Sequence, residues 1–466
     1  MKYFGTDGFR GEANRSLTAA HAFKIGRYLG AHFVQLQKDL RASCGGGRNL
    51  PEWAEEKRPR IVIGKDTRRS GYMLENALAA GITTSGADVS LMHVTTTPSV
   101  SYAVRVDNFC CGIMISASHN PFYDNGIKVI NSAGGKMEEA LLQEVEDYMD
   151  AEEETLPLAG RGDIGMVEDY SRGRNRYIGY LIQTVRRSFK RMRVGLDCAN
   201  GASFTIAKNV FDALGAETHL IHDNPNGLNI NLDCGSTHIE SLIELVKKQK
   251  LDCGFAFDGD ADRCIAVDNR GHVVNGDAIL YICGNDMKAH NALPNDMVVT
   301  TIMSNFGLYK AFERAGIAYV KTPVGDKNVA AEMFEHGYAL GGEQSGHIIF
   351  SKYATTGDGV LTALRLAEII VENKTDLASL HQDLFDYPQV LRNILVDDKE
   401  GALANPRVQR AIEEANRVLG NEGRTVVRAS GTEPLIRVMV EHLKDDLCQQ
   451  MADHIVQAFR EEGYTE

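Results

Sequence analysis

Three times along the chain a short β-branched apolar run gives way to a small-residue loop and then to a helical pattern. RIVIGKDTRRSG leads into YMLENALAAGITTSGA, RMRVGLDCANGAS into FTIAKNVFDALGA, and NDMVVTTIMSNFG into LYKAFERAGI. Continuous apolar strands followed by amphipathic helices specify α/β units with buried sheets. Their recurrence at intervals of roughly a hundred residues predicts three related α/β domains.

After Tyr387 the pattern changes. NILVDD, the helix-like RVQRAIEEANRVLG, the strand TVVR, a loop, the alternating strand LIRVMVE and a last helix from Asp446 follow one another. That is an α+β pattern, so a smaller C-terminal α+β domain is expected beside the three α/β domains. The expected boundaries divide the chain into 1–165, 166–272, 273–387 and 388–466. One segment, RASCGGGRNLPEWAEEKRPR at residues 41–60, interrupts the first unit with three glycines, two prolines and mixed charges. It reads as a solvent-exposed insertion or flap, with a lid or interface element as the alternative suggested by Trp53, the chain's single tryptophan.

The bulk properties agree with several folded domains. A length of 466 residues exceeds what one core supports, and 43% hydrophobic with 24% charged residues excludes wholesale disorder. A formal net charge of -13 argues against nucleic-acid and anionic-membrane partners, while leaving room for small anions held by local arginines. No apolar run reaches the roughly 18 residues of a membrane span, and MKYFGTDGFRGE contains no apolar signal region. Nine scattered cysteines without a C-x-x-C pattern fit reduced, buried thiols in a cytoplasm.

Four loops carry candidate chemistry. In CGIMISASHNPFYDNGIKVI an apolar strand ends in a loop that places the Ser118 hydroxyl at a sheet's carboxyl edge, with His119 adjacent and Lys128 nearby. A serine that accepts and donates a phosphoryl group needs cations to neutralise the phosphoryl oxygens. In DCGFAFDGDADRC, Asp258, Asp260 and Asp262 alternate after a buried strand, and three carboxylates so close repel unless a divalent cation lies among them. A calcium EF-hand is excluded because Arg263 stands where glycine is required and no suitably spaced glutamate follows; a solvated acidic turn is the remaining alternative. In VVRASGTEPLIRVMVE, Arg428, Ser430, Gly431, Thr432 and Arg437 offer converging backbone N–H groups, hydroxyls and guanidinium forks to a phosphate. In LGGEQSGHIIF, Glu343 and Ser345 could bind sugar hydroxyls and His347 could transfer a proton, although a plain glycine-rich hairpin also explains the motif. KTPVGDKNV, with Lys321, Gly325, Asp326 and Lys327, reads as another ligand-lining loop, and Arg10, Arg68 and Ser70 sit on loops that could complete an anionic pocket.

Taken in order, FGTDGFRG, ISASHNPFYDNGIK, DGDADR, GGEQSGH and RASGTEPLIRVMVE resemble the α-D-phosphohexomutase superfamily, and within it the phosphoglucosamine branch. Ser-Ala-Ser-His, Gln344 and Gly431 carry the resemblance to that branch rather than to phosphomannomutases and phosphoglucomutases. The resemblance implies four domains around a central cleft. It implies an isomerase that interconverts glucosamine 6-phosphate and glucosamine 1-phosphate, with glucosamine 1,6-bisphosphate as intermediate or activator. It implies Ser118 as phosphoserine and one Mg2+ held by Ser118, Asp258, Asp260 and Asp262. Arg10, Lys128 and His347 match positions for proton transfer or charge stabilisation, Glu343 and Ser345 match sugar contacts, and Arg428, Ser430, Gly431, Thr432 and Arg437 match the idle-phosphate site. A homodimer and a priming kinase are further partners that it allows. Ala261 departs from the pattern, which has glycine there; if that position needs φ > 0, alanine costs on the order of 1 kcal/mol.

Overall fold

The computed structural model describes residues 1–5, 7–43, 50–430 and 434–465. Among them, four sheets form, of seven, five, four and three strands. In the first, Arg60–Lys65 lies parallel to Asp88–Val94 on one side and to Cys111–Ile115 on the other, and Asp124–Asn131 returns antiparallel beside Cys111–Ile115. In the second, Arg193–Asp197 is flanked in parallel by Glu217–Ile221 and Cys253–Phe257, and Cys264–Asp268 returns antiparallel. In the third, Met297–Thr301 is flanked in parallel by Ala318–Thr322 and Leu340–Gly342, and Ile348–Phe350 returns antiparallel. The threefold pattern in the sequence is therefore a threefold repeat of one topology.

The physical origin is plain in the first repeat. Ile61, Val62 and Ile63 are completely buried, because helices cover both faces of a strand with no polar alternation. Helices Ala19–Ser43 and Arg69–Thr84 pack closely through glycines: a Cβ at Gly81 would lie 2.2 Å from the Phe23 carbonyl oxygen. Each repeat ends in an antiparallel hairpin, whose loop leaves the carboxyl end of a parallel strand. Those three loops carry Ser118, the three aspartates, and Glu343 to His347.

The fourth sheet is antiparallel, with Leu435–His442 between Gln389–Leu395 and Gly423–Ala429. Helices Pro406–Leu419 and Asp445–Glu461 supply Val408, Ala415, Ile455 and Phe459 to its core. Asn405 caps the first of these helices through its side chain, and Pro406 occupies the position where a missing N–H costs nothing.

Within segment 41–60, the described residues around Trp53 depart from a free solvent-exposed flap. Residues 44–49 lie outside the described part, but the short helix Glu52–Glu55 docks back on Ala19–Ser43. Trp53 is 6% exposed and stands edge-on to Phe33, with ring centroids 5.8 Å apart. Gln37 and Arg41 donate to the Glu56 and Ala54 carbonyls at 2.9 Å each. The indole's apolar area drives this docking, and composition alone hides it. The eight described cysteines are free and buried, and no helix among the described residues is long and apolar enough to cross a membrane.

Candidate active site

Ser118 adopts φ 52°, a left-handed conformation that costs a non-glycine residue about 1–2 kcal/mol. Its surroundings hold it there. Ser118 N donates to Ser116 Oγ at 2.9 Å, and its carbonyl accepts from Asn231 Nδ2 at 2.8 Å and Arg68 Nη2 at 3.2 Å. The same two side chains donate to the Asn120 carbonyl. Arg68 is fully buried and ion-paired to Asp66, and Ser70 accepts from Asn125 Nδ2 at 2.9 Å. Arg68 therefore braces the loop instead of completing an anionic pocket, because its guanidinium is already used inside the protein, while half-buried Ser70 supports the returning strand.

Asp258, Asp260 and Asp262 follow the strand Cys253–Phe257 and are all buried, with one oxygen of each lying within 4.8 Å of the others. Ser118 Oγ donates to Asp258 Oδ2 at 2.5 Å, which joins the first and second repeats. Burial, then the charges of Asp262 and Asp260, push the Asp258 carboxyl up to about 8. Thr97 Oγ1 donates to Asp260 Oδ2 at 2.5 Å; Lys128 Nζ lies 2.6 Å from that oxygen and 3.3 Å from Asp262 Oδ2. Asp260 Oδ1 and Asp262 Oδ1 are buried without a hydrogen-bond donor. One lysine among three carboxylates leaves a negative, oxygen-only donor set that fits a hard divalent cation. Ala261 takes φ 55°, so the loop keeps the left-handed turn despite its methyl group.

The basic groups around this cluster differ in character. Burial alone would lower the Lys128 ammonium, but Asp260 and Asp262 outweigh it and hold it well above the usual lysine range. His119 Nδ1 lies 3.3 Å from Ser118 Oγ and 3.2 Å from Arg263 Nη1. Burial, Arg263 and Arg10 push this imidazole down to about 4. Arg10, on the strand Gly8–Glu12, places Nη2 3.3 Å from Asp7 Oδ2. His347 is opposed by burial but raised to about 9 by Asp262 and Asp326. Gly357 N donates to its Nε2 at 3.0 Å, so a second ring proton would cost that bond, and the neutral ring with its proton on Nδ1 fits this geometry better.

In the closing hairpin loop of the third repeat, Glu343 Oε1 accepts from Gly325 N at 2.9 Å, and its charge acts on Arg263. Ser345 is exposed at the hairpin tip. Asp326 pairs with Lys136 at 2.6 Å and Lys327 pairs with Glu139, so KTPVGDKNV links the third repeat to the first. Asp7, Lys128, Asp262, Asp326, Lys327 and His347 together line a cleft of about 690 Å³. Lys321 points elsewhere, 3.9 Å over the Tyr309 ring.

On the last sheet Arg428 and Arg437 stand directly opposite each other across adjacent strands. Burial and Arg437 press the Arg428 guanidinium below its usual range, a like-charge opposition that an anion would relieve. Ser430 is buried and its carbonyl accepts from Lys399 Nζ at 2.8 Å. Gly431 and Thr432 lie outside the described residues. Thr97 and Asn231 have contacts around the serine and aspartate loops that sequence spacing does not reveal. Thr97 looks only like part of a helix start in TTTPS, and Asn231 is one asparagine among several.

Family models for the phosphoglucomutase/phosphomannomutase alpha/beta/alpha domains I, II and III match residues 1–156, 175–271 and 275–387, and the C-terminal-domain model matches 391–458. The chain is 56% identical to a phosphoglucosamine mutase of Lachnospira eligens over 99% of each chain. Its fold resembles that of a phosphoglucomutase/phosphomannomutase family protein from Burkholderia thailandensis (TM-score 0.79, 22% identity, covering 100% of this chain and 98% of that one). It also resembles Aspergillus fumigatus N-acetylphosphoglucosamine mutase in complex with GlcNAc-6P and magnesium (TM-score 0.69, 17% identity, covering 99% and 96%). With the Ser118, aspartate, Glu343–His347 and arginine segments presented by four successive domains of this kind, the chain belongs to the phosphoglucomutase/phosphomannomutase family, within the phosphohexomutase superfamily.

Proposed function

We propose that this chain interconverts glucosamine 6-phosphate and glucosamine 1-phosphate through phosphorylated Ser118 and glucosamine 1,6-bisphosphate. The observation that carries this reading is the Ser118 hydroxyl, held 2.5 Å from Asp258 beside two buried carboxylate oxygens that lack donors. The substrate is supported by the full-length relative at 56% identity named phosphoglucosamine mutase. Such an enzyme is an intramolecular phosphotransferase of the isomerase class.

In the forward direction the Ser118 Oγ–P bond breaks as the 1-hydroxyl oxygen of glucosamine 6-phosphate bonds to phosphorus, and that hydroxyl's proton passes to His347 Nε2, which gives up its Gly357 N–H bond to take it. The bisphosphate then turns over in the cleft. In the second half the 6-phosphoryl group bonds to Ser118 Oγ, its bond to the sugar oxygen breaks, and the proton returns to that oxygen. Lys128, held protonated, and the Arg10 guanidinium offset charge on the phosphoryl oxygens in both halves. Glu343 and Ser345 orient the sugar hydroxyls, while Arg428, Ser430, Gly431, Thr432 and Arg437 hold the phosphate that is not moving. One Mg2+ per chain, held by Asp258, Asp260, Asp262 and the Ser118 oxygen, supplies further charge neutralisation when bound. A homodimer and a kinase or bisphosphate that first phosphorylates Ser118 complete the proposed setting, in a cytoplasm that keeps the buried thiols reduced.

Comparing kcat/KM for glucosamine 6-phosphate, glucose 6-phosphate and mannose 6-phosphate tests the substrate. The amino sugar should be preferred, and a clear preference for either hexose would overturn the assignment.

A further inference from the structure

A second convergence of ligand-bearing side chains lies in the second repeat, outside the catalytic cluster. Asp197 ends the strand Arg193–Asp197, His222 follows Glu217–Ile221, and Cys234 lies in the loop before helix Glu240–Gln249. One ligand atom of each lies within 4.8 Å of the others, and His222 Nδ1 is 3.0 Å from Asp197 Oδ1. We infer that Asp197, His222 and Cys234 form a binding site for a divalent transition-metal ion of the zinc class.

The donor set is the first reason. A carboxylate, an imidazole and a thiolate are the ligands that zinc-class ions select, whereas the oxygen-only aspartate triad suits magnesium. Ligand atoms around a tetrahedral ion of this class stand about 3.5 Å apart, so only small adjustments separate the three side chains from a bound geometry. A neutral imidazole, a carboxylate and a thiolate would also balance the ion's two positive charges.

The second reason is the state of the side chains. Asp197 is fully buried and already oriented, with Oδ1 accepting from Ala199 N at 2.9 Å and Oδ2 from Gly235 N at 3.0 Å. Such outer hydrogen bonds are how metal-ligating carboxylates are positioned. His222 Nδ1 faces this carboxylate at 3.0 Å in poor hydrogen-bond geometry, an ion pair that raises the imidazole and that a bound ion would replace. The His222 side chain is 27% exposed, which leaves a route for the ion and room for a water as fourth ligand. Cys234 is buried, so binding replaces its S–H bond with a sulfur–metal bond and releases the proton to solvent.

The site is tied to the serine loop. Asn231 N donates to the Ala199 carbonyl at 2.9 Å, while the Asn231 side chain holds the Ser118 and Asn120 carbonyls. Thr67 Oγ1 donates to the Asn200 carbonyl at 2.6 Å. An ion here would staple the loop whose Asn231 braces Ser118 to the neighbouring loop that holds Ala199 and Asn200.

The test uses full-length protein stripped by chelation, then titrated with Co2+ in saturating Mg2+. The expected result is a near-ultraviolet thiolate-to-cobalt charge-transfer band that saturates at a single equivalent and is displaced by Zn2+. The catalytic triad holds no sulfur and contributes none. The band should vanish in Cys234→Ser and in His222→Asn, asparagine being suited to the φ of 49° at that position. No band in the wild type, or a band retained in either variant, would overturn the proposal. Thermal unfolding with Zn2+ gives an independent reading without Cys234→Ser: the midpoint should rise for the wild type and not for His222→Asn, and an equal rise in both would overturn it.

Discussion

Ser118 and Asp258 lie 140 positions apart, and the hydroxyl of one donates to the carboxylate of the other at 2.5 Å. The bond spans two copies of the same topology, each offering the loop of its closing hairpin. Neither loop makes a site alone. The serine loop brings a hydroxyl locked in a left-handed turn, and the aspartate loop brings buried negative charge with oxygens still lacking donors.

Thr97→Val removes the hydroxyl that donates to Asp260. Outer-shell losses of this kind typically weaken metal affinity about 10–100-fold. The magnesium concentration for half-maximal activity should rise by that factor, and kcat should largely recover at saturating magnesium. Activity titrated against magnesium checks both.

Gly259→Ala would place a Cβ 2.5 Å from the Ser118 carbonyl oxygen. Overpacking of this size costs about 1–3 kcal/mol, and the serine loop is the part that must move. Displacement of a reacting group lowers kcat on the order of 10²-fold, so steady-state kinetics should show a loss in kcat that exceeds any change in KM.

Arg428→Ala removes one of two guanidinium groups that oppose each other across the last sheet. If they hold the idle phosphate, losing a charged hydrogen bond worth about 1.5–3 kcal/mol raises KM roughly 10–100-fold. The thermal midpoint should not fall, because a like-charge opposition has been relieved.

Asp277 predicts a pH effect on stability. Its Oδ2 accepts from Asn305 N at 2.7 Å, its Oδ1 is buried without a donor, and burial pushes the carboxyl from 3.8 up to about 7. A raised folded pKa means stability that is fully present below about pH 4 and lost as pH rises through about 7. Asp277→Asn lacks that titration. Its melting midpoint relative to the wild type should therefore improve as pH rises across this window, and a constant difference would contradict the prediction.

The repeated strand–loop–helix pattern was legible because buried parallel strands are written as continuous apolar runs, and helices as periodic ones. A serine in a polar loop is ordinarily a turn residue, so Ser118 stands out only through its neighbours and through the alternating carboxylates downstream, which repel unless a cation lies among them. Arg68 shows where this reasoning stops. In GKDTRRSG nothing distinguishes a guanidinium that meets a ligand from one that turns inward to bind the Ser118 and Asn120 carbonyls. Trp53 shows the same limit, since only the packing against Phe33 reveals that the short helix Glu52–Glu55 is anchored. Thr97 and Asn231 were invisible because their partners lie more than a hundred residues away in sequence.

Replacing Ser118 with alanine should abolish turnover while sugar-phosphate binding, measured by calorimetry, stays largely intact. The most direct measurement follows the phosphoryl group itself. Enzyme carrying radiolabelled phosphate on Ser118 is mixed with unlabelled glucosamine 6-phosphate for a single turnover, and the products are separated. The label should leave Ser118 and appear in glucosamine phosphate, with Ser118 phosphorylated again by the substrate's unlabelled phosphate. Label that stays on the enzyme while isomerisation proceeds, or that emerges mainly as free phosphate, would contradict Ser118 as both donor and acceptor.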